Sequence, residues 1–472
     1  LLSYSGFVFS VMAVIAIGVG ANVLLEWEHS WKRRQQAGEE TIKKTFFSRQ
    51  KEGILVSFAI QLFTIPLVAY SYYEIPVYAM LINLFVLAVV NELLGLTVLG
   101  VIVGMAFLPA GRVLFAPCGW MLDSYRFLCE VSLKIPGAQR ITGKPAHMRI
   151  FWYYLGLGVF LLAIYACARR NEKHKDCRET ADLCVSRRKK RLQGIVFSCF
   201  IAFLLLFLLF PQKKSFEIDF LDVGQGDGIY LCTGGGTSMF IDGGSTDVKQ
   251  VGKYRILPFL KAKGVSEISY WFVSHTDTDH VSGLKEALVS GSRAEYLVLA
   301  TAVETAAKTK ELAELARSHG TKVLYMQAGD TVRSKRAAMR CLYPKASDKA
   351  EDVNDLCLVL QFEEGDIRAL FGGDISTDVE EQLSRREKWD KVLIFKADHH
   401  GSRYANAEAL LKCIRPEITV ASAGKDNRYG HPSPDAVQRI KESGSRFFCT
   451  IEGGRIRVRV IENKLVCETY VK

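Results

Sequence analysis

The sequence predicts a multi-pass α-helical membrane domain followed by an α/β domain, a two-sheet sandwich with helices outside. Three observations predict it. Up to about residue 210 the chain is dominated by long apolar runs. After about residue 214, short β-branched and aromatic runs broken by glycine-rich turns alternate with helical periodicity. Acids and imidazoles recur just past the ends of those strands, where α/β folds build sites on loops. The expected division is a membrane domain over residues 1–210 and a globular domain over residues 214–472.

At 472 residues the chain is too long for one ordinary domain. Gly6–Leu25, Ile54–Tyr73, Phe151–Ala168 and Gly194–Phe210 are long and apolar enough to span a bilayer. Val77–Pro109 is a longer apolar stretch, broken around Asn91, Glu92 and Gly95, and reads as two short helices or one long one. Basic residues gather in two loops. Lys32, Arg33, Arg34, Lys43, Lys44, Arg49 and Lys51 lie between the first two spans. Arg169 and Arg170 through Arg187, Arg188, Lys189, Lys190 and Arg191 lie between the last two. The positive-inside rule places both loops in the cytoplasm, so everything after Pro211 is expected outside. Parity then favours two crossings within Val77–Pro109, with Gly111–Arg149 on the outer side, lying along the membrane surface. Asn83, Asn91, Glu92 and Glu130 are polar candidates for a pathway through the membrane.

The net charge of +11 comes almost wholly from the membrane half. It is a topology signal and gives little support for nucleic-acid binding by the second half. The chain opens at Leu1 inside an apolar segment and reads as a fragment of something longer. The 12 cysteines include no Cys-x-x-Cys pair, which argues against a zinc knuckle or a dithiol redox motif.

In the second half, Phe216–Val223, Gly228–Cys232 and Ser238–Ile241 read as strands. Val303–Ser318 reads as a helix, and Cys357–Phe362 with Ile367–Phe371 as a hairpin. Further strands fall at Val392–Lys396, Ile418–Ser422 and Arg455–Ile461. The densest chemistry is the run His275, Thr276, Asp277, Thr278, Asp279, His280, directly after the strand-like Ile268–Val273. Such spacing lets His275, Asp277, Asp279 and His280 converge on two adjacent metals. Asp374, after Gly372-Gly373, is the candidate bridging carboxylate, and His399 or His400 supplies a further imidazole. The chain has 9 histidines, and those at 275, 280, 399, 400 and 431 fall in these runs, which is more than scattered surface residues would do. Two metals a few ångströms apart activate a water and stabilise a leaving oxygen in phosphoester displacement.

The order of these runs resembles the metallo-β-lactamase fold, an αββα sandwich. Asp242 in Phe240–Gly244 matches its first motif, where the acid orients the metal loop. The second motif is usually His-x-His-x-Asp-His, and here Asp277 replaces the middle His. Between that motif and Asp374 there is only His319, at an expected helix end. A more specific resemblance rests on Leu221–Asp227, the His275–His280 variant, Asn354 before Leu358–Leu360, Lys396–Ser402 and Asn427–Ser433. This set is similar to the C-terminal domain of the ComEC family, the competence proteins that carry DNA across the bacterial cytoplasmic membrane. Cys357 stands where that family more usually has Ser.

The resemblance implies a channel domain in the cytoplasmic membrane and an extracytoplasmic nuclease that degrades the strand not imported. It implies DNA, membrane lipid and other competence proteins as partners. The metal ligands expected are His275, Asp277, Asp279, His280, Asp374, His399 and His400. Asp279, Asp227, Asp222 and His431 are assigned to the chemistry, and Asp242 and Asn354 to positions behind the ligands. Gln225, Lys396, Ser402, Arg428 and Ser433 are assigned to substrate, the last four as hydrogen-bond donors to phosphate. Two divalent ions are expected, Mn²⁺ favoured over Zn²⁺ because the set is weighted toward oxygen. Two rival readings are a membrane-tethered phosphoesterase of envelope substrates without transport, and a translocator with a non-catalytic scaffold. The retained His275–His280 set and Asp374 conflict with the second of these.

Overall fold

The computed structural model describes residues 5–35, 46–173, 181–211, 214–350, 352–462 and 464–471. Lys43 and Lys44 of the first basic loop lie outside them. The chain forms two compact units, Leu1–Pro211 and Gln212–Lys472.

The first unit is helical. Among the described residues, 4 helical stretches are long and apolar enough to cross a membrane: Gly6–Trp31, Glu52–Tyr72, His147–Asn171 and Arg188–Leu209. Helix Phe46–Tyr72 carries Pro66 in its interior. Proline lacks the N–H that would bond the carbonyl four residues back, and an unpaired carbonyl is expensive in lipid. The neighbouring helix His147–Lys173 supplies donors there. The Tyr153 hydroxyl donates to the Leu62 carbonyl at 2.8 Å, and Tyr154 donates to the Phe63 carbonyl at 2.8 Å. Leu62, Tyr153, Leu157, Phe160 and Leu204 are buried together around this contact.

Ala79–Ala106 is one helix of 28 residues, so the interruption expected near Asn91 and Gly95 does not break the chain. Backbone groups in apolar surroundings are satisfied only by staying helical, which outweighs the weak propensities of those residues. The break falls at Phe107, with φ −148° and ψ 98°, and Pro109 enters the first turn of a second helix, Leu108–Lys134. The two helices pack together at Gly104 and Gly111. A Cβ on Gly111 would stand 2.6 Å from the Gly104 Cα, so the approach requires glycine. The segment expected to lie outside from Gly111 is therefore helical as far as Lys134. Strand β1 (Glu74–Pro76) pairs antiparallel with β2 (Gln139–Ile141).

The second unit is an αββα sandwich. Its first sheet contains β3 (Glu217–Phe220), β4 (Gly228–Cys232), β5 (Ser238–Asp242), β6 (Glu267–Phe272), β7 (Arg293–Ala300) and β8 (Lys322–Met326). The second contains β9 (Thr331–Ser334), β10 (Ala337–Tyr343), β11 (Val359–Glu364), β12 (Ile367–Phe371), β13 (Ile394–Lys396), β14 (Ile418–Ala421) and β15 (Arg446–Cys449). The last strands, β16 (Arg455–Ile461) and β17 (Lys464–Tyr470), return to the first sheet. The orders are β17-β16-β3-β4-β5-β6-β7-β8 and β15-β14-β13-β12-β11-β10-β9. Each sheet is antiparallel at one end and parallel at the other, with β5 to β8 and β12 to β15 parallel.

Alternation along the strands explains the layers. Ile229, Leu231, Met239 and Ile241 pack between the sheets with Leu360, Phe362 and Phe371. The intervening Tyr230 and Phe240 face Leu260, Leu284 and Leu312 on helices Leu257–Ala262, Thr278–Val289 and Ala307–Ser318. On the far side Leu370 and Phe395 meet Leu383, Leu411 and Ile440 on helices Thr377–Arg386, Glu408–Ile414 and Pro434–Glu442. Strands apolar on both faces need a layer on each side, and here the other sheet and a set of helices supply them.

Candidate metal centre

The C-terminal ends of parallel strands from both sheets deliver the site. β5 ends on Asp242, β6 runs on to Ser274 and His275, β12 to Asp374, and β13 to His399 and His400. Helix Thr278–Val289 brings Asp279 and His280 in its first turn. The turn after β3 brings Asp227. Gly226 there has φ +152°, and a Cβ on it would stand 2.4 Å from the Gly244 carbonyl oxygen and 2.5 Å from that of Asp279. Only glycine permits the approach, and the Asp227 N–H then donates to the Asp279 carbonyl at 3.1 Å.

Two groups of ligand atoms result, each within 4.8 Å: Asp227, His280, Asp374 and His400, all buried, and His275, Asp279 and His280. His280 Nε2 lies 3.3 Å and His400 Nε2 3.4 Å from Asp374 Oδ2. His400 Nε2 also lies 3.7 Å from Asp279 Oδ2. The opposite ring nitrogens are held from behind. Asp242 Oδ2 is 3.0 Å from His280 Nδ1, and Asp242 Oδ1 accepts from the Ser274 N–H at 2.7 Å. The Ser422 carbonyl lies 3.0 Å from His400 Nδ1, which makes that nitrogen the protonated one. A carboxylate or carbonyl behind the ring is how proteins aim a ligating imidazole. His280 Nε2, His400 Nε2 and Asp374 Oδ1 are buried without a hydrogen-bond partner. Buried polar atoms are nearly always paired, so these converging leftovers fit a divalent cation.

The charges agree. Burial opposes protonation of His280, but Asp374 and Asp242 hold its pKa well above the usual range. His400 is raised to about 9, with burial opposing and Asp374 and Asp227 prevailing. Burial would raise Asp279, but His400 and His280 bring it down to about 2. His275 falls to about 4 through burial and the neighbouring His280, so it is neutral at pH 7. A cation entering here displaces protons from His280 and His400 and meets His275 already neutral.

The structure separates the expected residues. The adjacent His399 and His400 both have left-handed backbone, φ +48° and +54°. Each such residue costs roughly 1–3 kcal/mol, and the turn they make splits their roles. His400 is buried in the first group, whereas His399 is partly exposed on the rim, its Nε2 3.9 Å from Asp374 Oδ2. Asp277 lines the cavity with its Oδ2 3.9 Å from His275 Nε2, but its Oδ1 pairs with Lys308 Nζ at 2.8 Å and it lies outside both groups. Asp222 pairs with Arg255 at 2.8 Å and also lies outside them.

Lys396, expected at a phosphate, is 1% exposed, and its Nζ lies 2.5 Å from Asp227 Oδ2 and 3.8 Å from Asp374 Oδ1. It is the counter-charge of the carboxylates, because a buried ammonium needs an ionic partner. Ser433 is buried as the N-cap of helix Pro434–Glu442, accepting from the Ala436 N–H at 3.2 Å. Ser402 is buried and accepts from the Tyr404 N–H at 3.3 Å. The Gln225 side chain accepts from the Gly424 N–H at 3.2 Å. His319 caps the end of helix Ala307–Ser318.

A cavity of about 410 Å³ opens over the ligands, lined by Gln225, Thr246, His275, Asp279, Asn354, Asp374, His399, His400, Tyr429 and His431 among others. Arg428 is exposed beside Tyr429 at its mouth. Ser274 and Tyr429 were missed from sequence, although both sit within or beside the quoted motifs. Also missed was a buried carboxyl pair behind the His399 turn, Asp398 and Glu380. Glu380 accepts from the Asn406 and Ala407 N–H groups. Burial raises its pKa to about 7, and Asp398 is raised well above its usual value by burial and by Glu380. The sign follows from the folded pKa lying above the unfolded one. The contribution of Glu380 to stability is full below about pH 4.5 and is lost as pH rises through about 7. Glu380→Gln is therefore expected to flatten the fall in melting temperature of the chelated protein between about pH 4.5 and 7. An unchanged slope would show that the pair does not share a proton.

A competence-protein family model matches residues 2–166. The chain is 25% identical over 419 residues to ComE operon protein 3 of Bacillus subtilis, covering 86% of this chain and 51% of that protein. It is 26% identical over 274 residues to Recombination protein 2 of Haemophilus influenzae, covering 58% of this chain and 32% of that protein. The chain thus spans about a third to a half of the length of these curated relatives. Among solved structures, the metallo-β-lactamase fold protein YhfI of Bacillus subtilis aligns at 12% identity with TM-score 0.36, covering 52% of this chain and 100% of that one. The model match over residues 2–166 and these relatives make the chain similar to bacterial competence proteins.

Proposed function

We propose that the second unit is a metal-dependent phosphodiesterase that cuts DNA, acting on the strand that is not imported. The first unit is then part of a DNA-uptake channel serving transformation, working with other competence proteins. The observation that carries the hydrolase reading is the convergence of His280 Nε2 and His400 Nε2, neither with a hydrogen-bond partner, on Asp374 Oδ2 beside His275 and Asp279. Two divalent ions would be held among Asp227, Asp374, His400, His275, Asp279 and His280, with His280 serving one of them through Nε2 because its Nδ1 is held by Asp242. When bound, such ions activate water and stabilise the leaving oxygen.

The chain's own residues do the rest. Asp242 and the Ser422 carbonyl fix the imidazole orientations, and Lys396 sets its ammonium against Asp227 beside Asp374. Asp279, held at about pKa 2, is an ionised acceptor facing the cavity. His431 is lowered to about 4 by burial and by His400 and His399, so at neutral pH it accepts rather than donates a proton at the rim. Arg428 is placed for a flanking phosphate. The preference for Mn²⁺ rests on the carboxylates of Asp227, Asp279 and Asp374, with Asp277 on the cavity wall paired to Lys308.

The test is single-stranded DNA hydrolysis by the full chain in detergent after chelation and metal add-back. Activity is expected with Mn²⁺ above Zn²⁺ and none with chelator. A folded protein inert with both ions would sink the reading. The second unit is also inferred to lie outside the cytoplasmic membrane, on the basic loops and span parity. Cysteines placed near Ser245 should then react with an impermeant reagent on intact cells, and those near Arg191 should not. The reverse pattern would overturn the topology.

A further inference from the structure

The run Asn427–Ser433 forms the lip of the cavity, and its exposed residues play no part in the ligand set. Tyr429 is 49% exposed yet lines the cavity with Asp374, His399 and His431. Its ring stacks on that of His431, with centroids 5.6 Å apart and planes at 21°. His431 in turn meets His399 edge-on at 5.6 Å. The Arg428 guanidinium lies 4.8 Å from the Tyr429 ring centroid and donates to the Tyr429 hydroxyl at 2.5 Å.

Asn427 holds the lip in shape. Its side chain donates to the Gly424 and His431 carbonyls at 2.8 and 2.6 Å and accepts from the Tyr429 and His431 N–H groups at 3.2 and 3.0 Å. An aromatic ring half in water, backed by a second ring and held by a stapled loop, has little use in the sandwich core. Beside a phosphodiester-cutting centre it has the properties of a stacking platform, since every nucleobase offers a π face. The neighbouring guanidinium suits the phosphate next along the strand.

We propose that Tyr429, backed by His431 and flanked by Arg428, is a nucleobase-stacking subsite that makes the hydrolase selective for single-stranded polynucleotide. This rests on the nuclease reading above and names the form of its substrate. Bases in a duplex are already paired and stacked, so they cannot reach the ring without unstacking. A base-free phosphodiester chain reaches the metals but gains nothing from the ring.

The test compares three substrates of one length with the Mn²⁺-loaded full chain in detergent. They are a single-stranded oligodeoxynucleotide, its duplex, and an oligomer whose sugars carry no bases. Wild type is expected to prefer the single strand over both others by about tenfold in kcat/KM, the scale of one base-aromatic stack. Tyr429→Ala should bring the three to within about twofold of one another. The loss should appear in KM for the single strand rather than in kcat. Tyr429→Trp should keep the preference. A Tyr429→Ala variant that still prefers the single strand overturns the subsite, as does a wild type indifferent to bases. A wild type that cuts none of the three overturns the nuclease reading, and the subsite with it.

Discussion

Asp374→Ala is expected to lower metal-dependent DNA hydrolysis by roughly a thousandfold or more, several kcal/mol of lost transition-state stabilisation. Asp374 is the carboxylate on which the fully buried ligand group converges, 3.3 Å from His280 Nε2 and 3.4 Å from His400 Nε2. Burial alone would raise its pKa, but His400 and His280 hold it well below the usual carboxylate range, so it is ionised whenever a cation is offered. Without it the two imidazoles face each other without an anion between them. The variant should be assayed beside circular dichroism and a melting curve, because the loss of one buried carboxylate also leaves Lys396 with fewer partners. A folded variant with wild-type activity would remove Asp374 from the metal site.

Lys396→Met is expected to destabilise the chelated protein by about 3–5 kcal/mol, the scale for removing one partner of a buried ion pair. For a unit of this size that is a fall of about 10 °C in melting temperature. The replacement is close in volume, so packing against the sandwich is largely kept and the effect is electrostatic. The loss strands Asp227 and also takes a cation from the neighbourhood of Asp374 and Asp398. Adding a divalent ion should restore part of the stability, since the ion binds the folded state and meets the same carboxylates. Joint replacement of Lys396 and Asp227 by apolar residues should cost less than Lys396→Met alone. An unchanged melting temperature in chelator would mean that the pair is solvated and that Lys396 is free to serve substrate, as its motif first suggested.

Much of the design was legible because it depends on local pattern. A span needs length and apolarity, so Gly6–Trp31 and Arg188–Leu209 could be read directly. Strands buried on both faces need continuous apolar runs, so β4 and β5 stood out between their glycines. The helix expected over Val303–Ser318 begins at Ala307, after a short 3₁₀ turn at Thr301–Val303, an end effect of one or two turns. A metal site needs several anionic and imidazole groups close together, and six consecutive residues at 275–280 announce one in any fold.

What the sequence determined by itself was which residue types come together and at which strand ends. The tertiary structure alone decided where each side chain points. His399 and His400 are neighbours with the same chemistry, and only their left-handed turn sends one ring inward and the other to the rim. Asp277 sits among ligands in sequence but turns to Lys308, a partner thirty-one residues away. Lys396 and Asp227 come from different sheets, and the pairing of their charges depends on how those sheets stack. The physical reason is common to all three. Residue type sets the range of partners a group can satisfy, whereas choosing among them depends on backbone angles and long-range packing that no local pattern encodes.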